Sequence, residues 1–176
     1  MNRRTTLTLA TMALLCSAIA LPMDDAAAQQ KQQVSFKTPP ENDKYTQQLT
    51  ISVGDVPNHN MRAFEVHRTF PNNAPVINGF KLAEEWVRGT SDLTGGNGHG
   101  PLYCVFVMEN GDKFVAQLDF VNQRISGTTV STAVGHITSG TGKFEKIQGI
   151  VQQLTKITPA TQATDSQTDI EYWIEK

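Results

Sequence analysis

The stretch "LYCVFVMENGDKFVAQLDF", residues 102–120, decides the fold class. Two runs rich in β-branched and aromatic residues flank Asn110-Gly111, the pair that a tight hairpin turn with positive φ needs. The same chemistry recurs on both sides. "MRAFEVHRTF", 61–70, alternates strongly. "FKLAEEWVRGT", 80–90, fits helix or strand on pattern alone, and Trp86, Val87 and the nearby glycines favour a strand. "TQQLTISV" (46–53), "RISGTTVSTAVGHI" (124–137), "KIQGIVQQLTKI" (146–157) and the closing "DIEYWIEK" (169–176) complete the set. "SDLTGGNGHGP" (91–101) and "TPATQATDSQT" (158–168) read as loops by composition. About eight strands joined by Gly/Asn-rich turns predict an all-β sandwich or barrel, and closure as a barrel removes the exposed edges of an open sheet.

The start of the chain has a different character. Arg3 and Arg4 precede an uncharged, mainly apolar run from Leu7 to Leu21, and Ala26-Ala27-Ala28 supplies small residues for cleavage. Residues 1–28 therefore read as a secretory signal peptide, which places the mature protein in the periplasm or outside the cell. The run is too short for a membrane span, and no other stretch is apolar enough to be one. Cys16 follows Leu15, not a small residue, which argues against lipid attachment. Cleavage leaves Cys104 as the sole cysteine, so no intrachain disulfide forms. Residues 29–44, "QQKQQVSFKTPPENDK", are polar with a Pro pair and read as a flexible segment, with one domain over 45–176. The formal net charge is −2, with no basic surplus to support nucleic-acid binding.

"GHITSGTGKFEKIQG", 135–149, has the superficial look of a phosphate loop. The spacing is wrong: Gly135 is too far from Gly142 and Gly140 too near. Phe144 also stands where a Ser or Thr would hold magnesium, and a strand pattern follows where a helix is needed. The remaining reading is structural. Gly140 and Gly142 free the backbone for a turn, Phe144 plugs the core, and Gly149 marks a bulge or a close backbone approach.

"TSGTGKFEKIQG" resembles the Thr-Gly-Gly-x-Gly-x-Phe-x-x-x-x-Gly segment of allene oxide cyclases and, more loosely, of dirigent proteins, with Ser139 in place of the first glycine of the pair. "FEVHR", 64–68, is similar to the Tyr-Glu-x-Asn-Glu strand of the cyclases, and "LYCVFVMENGDKF" to their Gly-x-Cys-Val strand and hairpin. "VGDVP", 53–57, and "GDK", 111–113, resemble features of exported bacterial proteins with this barrel. The resemblance implies a single eight-stranded antiparallel β-barrel, calycin-like, of the allene oxide cyclase and dirigent type. It also implies a homo-oligomer, since related barrels often form trimers.

On a strand, Glu65 and His67 share one face, and Phe64 and Val66 the other. Either the apolar pair fills the interior and the polar pair is wet, or the polar pair lines a cavity. The resemblance implies the second arrangement: Glu65 takes the position of the inward cyclase Glu, and His67 replaces its Asn. Glu65 and His67 are then the candidate catalytic pair of an isomerase or cyclase acting on a reactive lipid-like or aromatic substrate, with the Glu65 pKa raised by burial. By the same resemblance Cys104 lines the cavity and Asp92 stands near a pocket Asn. Alternation puts Cys104 on one face with Phe106 and Met108, an apolar face that suits an inert thiol. Cys104, Phe106 and Asp92 are the candidate ligand-binding residues. His59, His99 and His136 show no metal-ligand spacing, and no motif calls for a metal or a cofactor. Three functions follow: a barrel holding a small hydrophobic molecule, an isomerase using Glu65, or a non-catalytic interaction module.

Overall fold

The computed structural model describes residues 30–161 and 163–175; the expected signal peptide, with Cys16, lies outside them. The described chain is antiparallel β-structure throughout, with two single-turn 3-10 segments. The strands are β1 (Gln32–Thr38), β2 (Asp43–Ser52), β3 (His59–Thr69), the two-residue β4 (Val76–Ile77), β5 (Phe80–Thr94), β6 (Asn97–Met108), β7 (Lys113–Ile125), β8 (Thr128–Gly140), β9 (Ile147–Thr158) and β10 (Ala163–Ile174). One sheet holds them in the order β1-β10-β9-β8-β7-β6-β5-β3-β2, with β4 paired to β5.

The two ends of this sheet, β1 and β2, are neighbours in sequence, separated only by the Pro39-Pro40 corner. β1 pairs with β10, so that Thr38 lies opposite Ser166, whereas β2 pairs with β3, so that Asp43 lies opposite Arg68. Both lists of partners leave β1 and β2 without a ladder to each other among the described residues. The sheet nevertheless curls until its ends meet through side chains: Arg68 Nη2 donates to Ser166 Oγ at 3.1 Å, from β3 to β10. Within the polar segment 29–44, residues 32–38 and 43–44 are strand. It contributes Phe36, packed edge-to-face on Phe70 with centroids 5.4 Å apart, together with the buried Thr38 and Asp43. Pairing with β10 satisfies its backbone, and local composition does not report that long-range ladder.

Three local expectations change. Residues 91–101 form strand on both sides of a Gly95-Gly96 turn, and β10 begins at Ala163 within the expected loop. The 109–111 connection is a three-residue loop. Gly111 N–H donates to Met108 O at 2.9 Å and Met108 N–H to Asp112 O at 2.8 Å, with φ of 86° at Gly111. Only Gly111 takes positive φ there, as a type I turn followed by a bulge requires, and Asn110 instead uses its side chain to bond Asp112. At 142–144 a 3-10 turn carries Phe144 into the core, fully buried against Phe114 and Phe80. Gly142 sits at φ 54° under the Asp112 carboxylate, and Gly149 has the Glu171 carbonyl where a side chain would go.

Candidate functional site

Alternation along the strands fills the curled sheet in layers. At the 109–112 end, Leu82, Phe106, Met108, Phe114, Phe144, Ile147 and Ile77 pack without exposure beyond a few per cent. The middle layer is polar. Arg68, 4% exposed, donates from Nε to Asp43 Oδ2 at 2.9 Å, and from Nη1 to both Glu85 oxygens at 3.2 Å. Gln153 Nε2 donates to Glu85 Oε1 at 2.7 Å, from β9 across the interior to β5. Ser166 links Thr155 to Asp43. Burial alone would lower the Arg68 pKa, but Glu85 and Asp43 reverse this and raise it, so the guanidinium stays charged.

Above this layer the packing opens. A cavity of about 70 Å³ is lined by Tyr45, Phe64, Val87, Leu102, Phe120 and Ala133, with Asp43, Arg68, Gln153, Thr155 and Thr164 contributing polar surface. It exceeds the space of one water several-fold, since about 10–15 Å³ on this measure holds one. Asp43 Oδ1, Asn122 Oδ1 and Thr164 Oγ1 belong to lining residues, are buried, and have no partner among the described residues. A vestibule of about 200 Å³ shares Tyr45, Arg62, Leu93, Asn122 and Ile157 with the cavity and adds Gln48, Arg124 and Thr129. Burial raises the Tyr45 pKa, so its phenol stays protonated at the junction.

The expected site residues fall elsewhere. β3 turns Phe64, Val66 and Arg68 inward and Glu65 and His67 outward, the first of the two arrangements its sequence allows. Glu65 accepts from Thr46 Oγ1 and Arg88 Nε, each at 2.7 Å, and these bonds hold its pKa below the usual carboxylate value; the expected rise is reversed. His67 stacks on Trp86 at 4.0 Å and contacts Glu84 Oε2 at 2.7 Å, also outside. Asp92 is exposed on the outer face beside His59. Phe106 is inward but lies in the packed layer, stacked on Phe114 at 4.6 Å, and does not line the cavity. Cys104 is fully buried beside the polar layer, and burial followed by Glu85 raises its thiol pKa well above the ordinary value. It is held as the neutral thiol. Among the described residues no three His, Cys, Asp or Glu side chains converge on a metal-binding arrangement.

Asp43, Tyr45, Arg68, Glu85 and Gln153 were not legible as a group. Arg68 had one signal, its shared face with Phe64 and Val66. Glu85 had a misleading one. A bulge between Leu82 and Glu84 reverses the alternation, so Leu82 and Glu85 both point inward where simple parity separates them.

A second polar arrangement pins the loop before β3. The Nδ1 and Nε2 atoms of His59 lie 2.7 and 2.6 Å from carboxylate oxygens of Asp55 and Asp92. Asp92 first and Asp55 second raise the His59 pKa, and the His59 bond lowers that of Asp55. A neutral imidazole has one N–H, so deprotonation must cost one of the two contacts. Because the folded-state His59 pKa is raised, this clamp is complete below the ordinary histidine pKa and weakens as pH rises through the raised value. On the acid side, Asp55 loses its contribution only as pH falls through its lowered value. The His59 ring resonances in a nitrogen-detected NMR titration are expected to shift above the ordinary value of 6.5; a midpoint at or below it would rule out the clamp.

No family model matches this chain, and no curated protein matches it. Among solved structures, the chain is similar to a dirigent protein, a pterocarpan synthase, with a TM-score of 0.50 at 14% sequence identity, covering 95% of this chain and 100% of that one. The likeness, over nearly all of this chain and the whole of the other, shows a dirigent-like, barrel-like fold.

Proposed function

We propose that this chain is an exported small-molecule-binding protein whose curled sheet works as an eight-stave barrel, β1 and β2 forming the two halves of one bent stave. Its cavity takes a compact molecule with an apolar body and at least one hydrogen-bond donor. One observation carries the reading: the unpartnered oxygens of Asp43, Asn122 and Thr164 at a cavity whose apolar wall includes Phe64, Leu102, Phe120 and Ala133. A buried acceptor left unbonded costs about 1–3 kcal/mol, which a donor on a ligand recovers. Apolar walls with a few convergent polar groups are the usual makeup of a ligand site. A fold that in a pterocarpan synthase serves a small molecule is a fitting host. The polar floor extends the expectation of a purely hydrophobic ligand, and the outward Glu65 removes the group on which the isomerase reading relied.

Native mass spectrometry followed by organic extraction tests this. Excess mass that is lost on denaturation is expected from the protein as isolated. Ala133→Leu adds three carbons at the cavity wall and is expected to abolish that excess mass, whereas Glu65→Gln on the outer face leaves it intact. A bare polypeptide mass with nothing in the extract would overturn the reading in favour of an interaction module working through its outer surface.

A further inference from the structure

The vestibule over the cavity has a charge pattern that its interior does not explain. Four arginines lie among the described residues. Arg68 is paired with Asp43 and Glu85, and Arg88 with Glu65. Arg62 and Arg124 have no carboxylate partner among the described residues, and these two line the same vestibule. Arg62 donates to the Gln48 side chain, which is neutral, and also reaches the cavity itself. No Asp or Glu lines the vestibule. Two guanidiniums that share a recess without a counter-charge raise each other's energy and favour an anion between them. The planar donor fork of arginine matches the oxygens of a carboxylate. At the opposite end of the cavity the open acceptor is itself a carboxylate oxygen, Asp43 Oδ1, which repels an anion and selects a neutral donor.

Resting on the cavity reading above, we infer that the ligand is a small amphipathic organic acid, with its carboxylate at Arg62 and Arg124, its apolar body between Phe64 and Phe120, and a hydroxyl or similar donor on Asp43. Its polarity is fixed: the anion sits outermost and the donor innermost. Its length is bounded as well. Arg62 and Arg68, the latter opposite Asp43, are six residues apart on one face of β3. That is roughly 20 Å of strand, and the reach of the Arg62 and Asp43 side chains leaves a ligand on the order of 10 Å long. A long acyl chain does not meet that limit, whereas a single ring with a short acid arm does.

Calorimetric titration of the purified protein with 3-(4-hydroxyphenyl)propanoate, its methyl ester and 3-phenylpropanoate tests this. The hydroxylated acid is expected to bind at least about tenfold more tightly than either of the others, the scale of one charge-assisted hydrogen bond. Arg62→Gln and Arg124→Gln should each weaken acid binding more than ester binding and so remove most of the advantage of the acid. Neither residue supports the packed core, so loss through unfolding is not expected, and unchanged melting of the variants confirms it. Added salt should weaken the acid and spare the ester. Equal affinities for acid and ester, or arginine variants that behave as the wild type, would overturn the anion inference and leave the cavity reading standing. Failure of all three probes to bind at millimolar concentration would also overturn it, and extraction would then decide the cavity reading alone.

Discussion

Replacing Arg68 by methionine is expected to lower the unfolding free energy by about 3–5 kcal/mol, the cost of stripping a buried ion pair of one partner. Methionine restores much of the volume, so the loss isolates the charge. It leaves the carboxyl groups of Asp43 and Glu85 facing each other in a buried layer, and it removes the N–H that donates to Ser166 Oγ. These bonds join β2, β3, β5 and β10, strands from both sides of the seam, so the same change loosens the seam and leaves the Ser166–Asp43 bond as a polar tie across it. Urea unfolding of the variant gives the number. The triple variant Arg68→Met, Asp43→Asn, Glu85→Gln is expected to regain a large part of the loss, because no unpaired charge remains. A loss below about 1 kcal/mol, the scale of an exposed pair, would show that the cluster is hydrated and the layer is not sealed.

Phe144→Ala is expected to cost about 3–5 kcal/mol, the range for truncating a buried aromatic. The ring is fully buried, with centroids 5.6 Å from Phe114 and 6.2 Å from Phe80. It enters the closed end of the curled sheet from a 3-10 turn rather than a strand, so its neighbours are held by ladders and are poorly placed to collapse into the gap. Phe144→Leu keeps most of the volume and should lose roughly half as much or less. For a domain of this size the alanine variant should melt on the order of 10 °C lower. An unchanged melting temperature would mean that this end of the interior repacks freely. The ligand binding proposed for the far end of the interior should survive both changes, which separates the core from the cavity.

Much of the architecture was legible because it is written in nearest-neighbour chemistry. The β-rich runs flanking Asn110-Gly111 and the alternation in 61–70 and 146–157 all became strands. The site was far less legible. Glu65 and His67 attracted attention as a polar pair on an alternating strand, yet the same alternation permits either face to be inside. The choice fell to Arg68, whose inward position depends on Asp43, Glu85 and Ser166 from three other strands. A lone arginine in an apolar run reads as outward, since burial without partners is prohibitive. Glu85 was hidden by the bulge before it, which a residue count cannot anticipate.

By itself, then, the sequence determined the all-β class, most strand positions and the glycine-backed insertion of Phe144, because those depend on backbone preferences and on a period of two. It also marked Cys104 as a buried, unactivated thiol through its share of an apolar face. Tertiary structure alone decided the rest. It made a strand of the Gln32–Thr38 segment by pairing it with β10, nearly the whole chain away, and brought the two ends of the sheet together at the Pro39-Pro40 corner. It assembled Asp43, Arg68, Glu85 and Gln153 from four strands, and placed Arg62 and Arg124 at one mouth. The physical reason is common to all of these. A buried charge is stable only when its partners arrive from elsewhere in the chain, and which partners arrive is a property of register and curl that no local stretch contains.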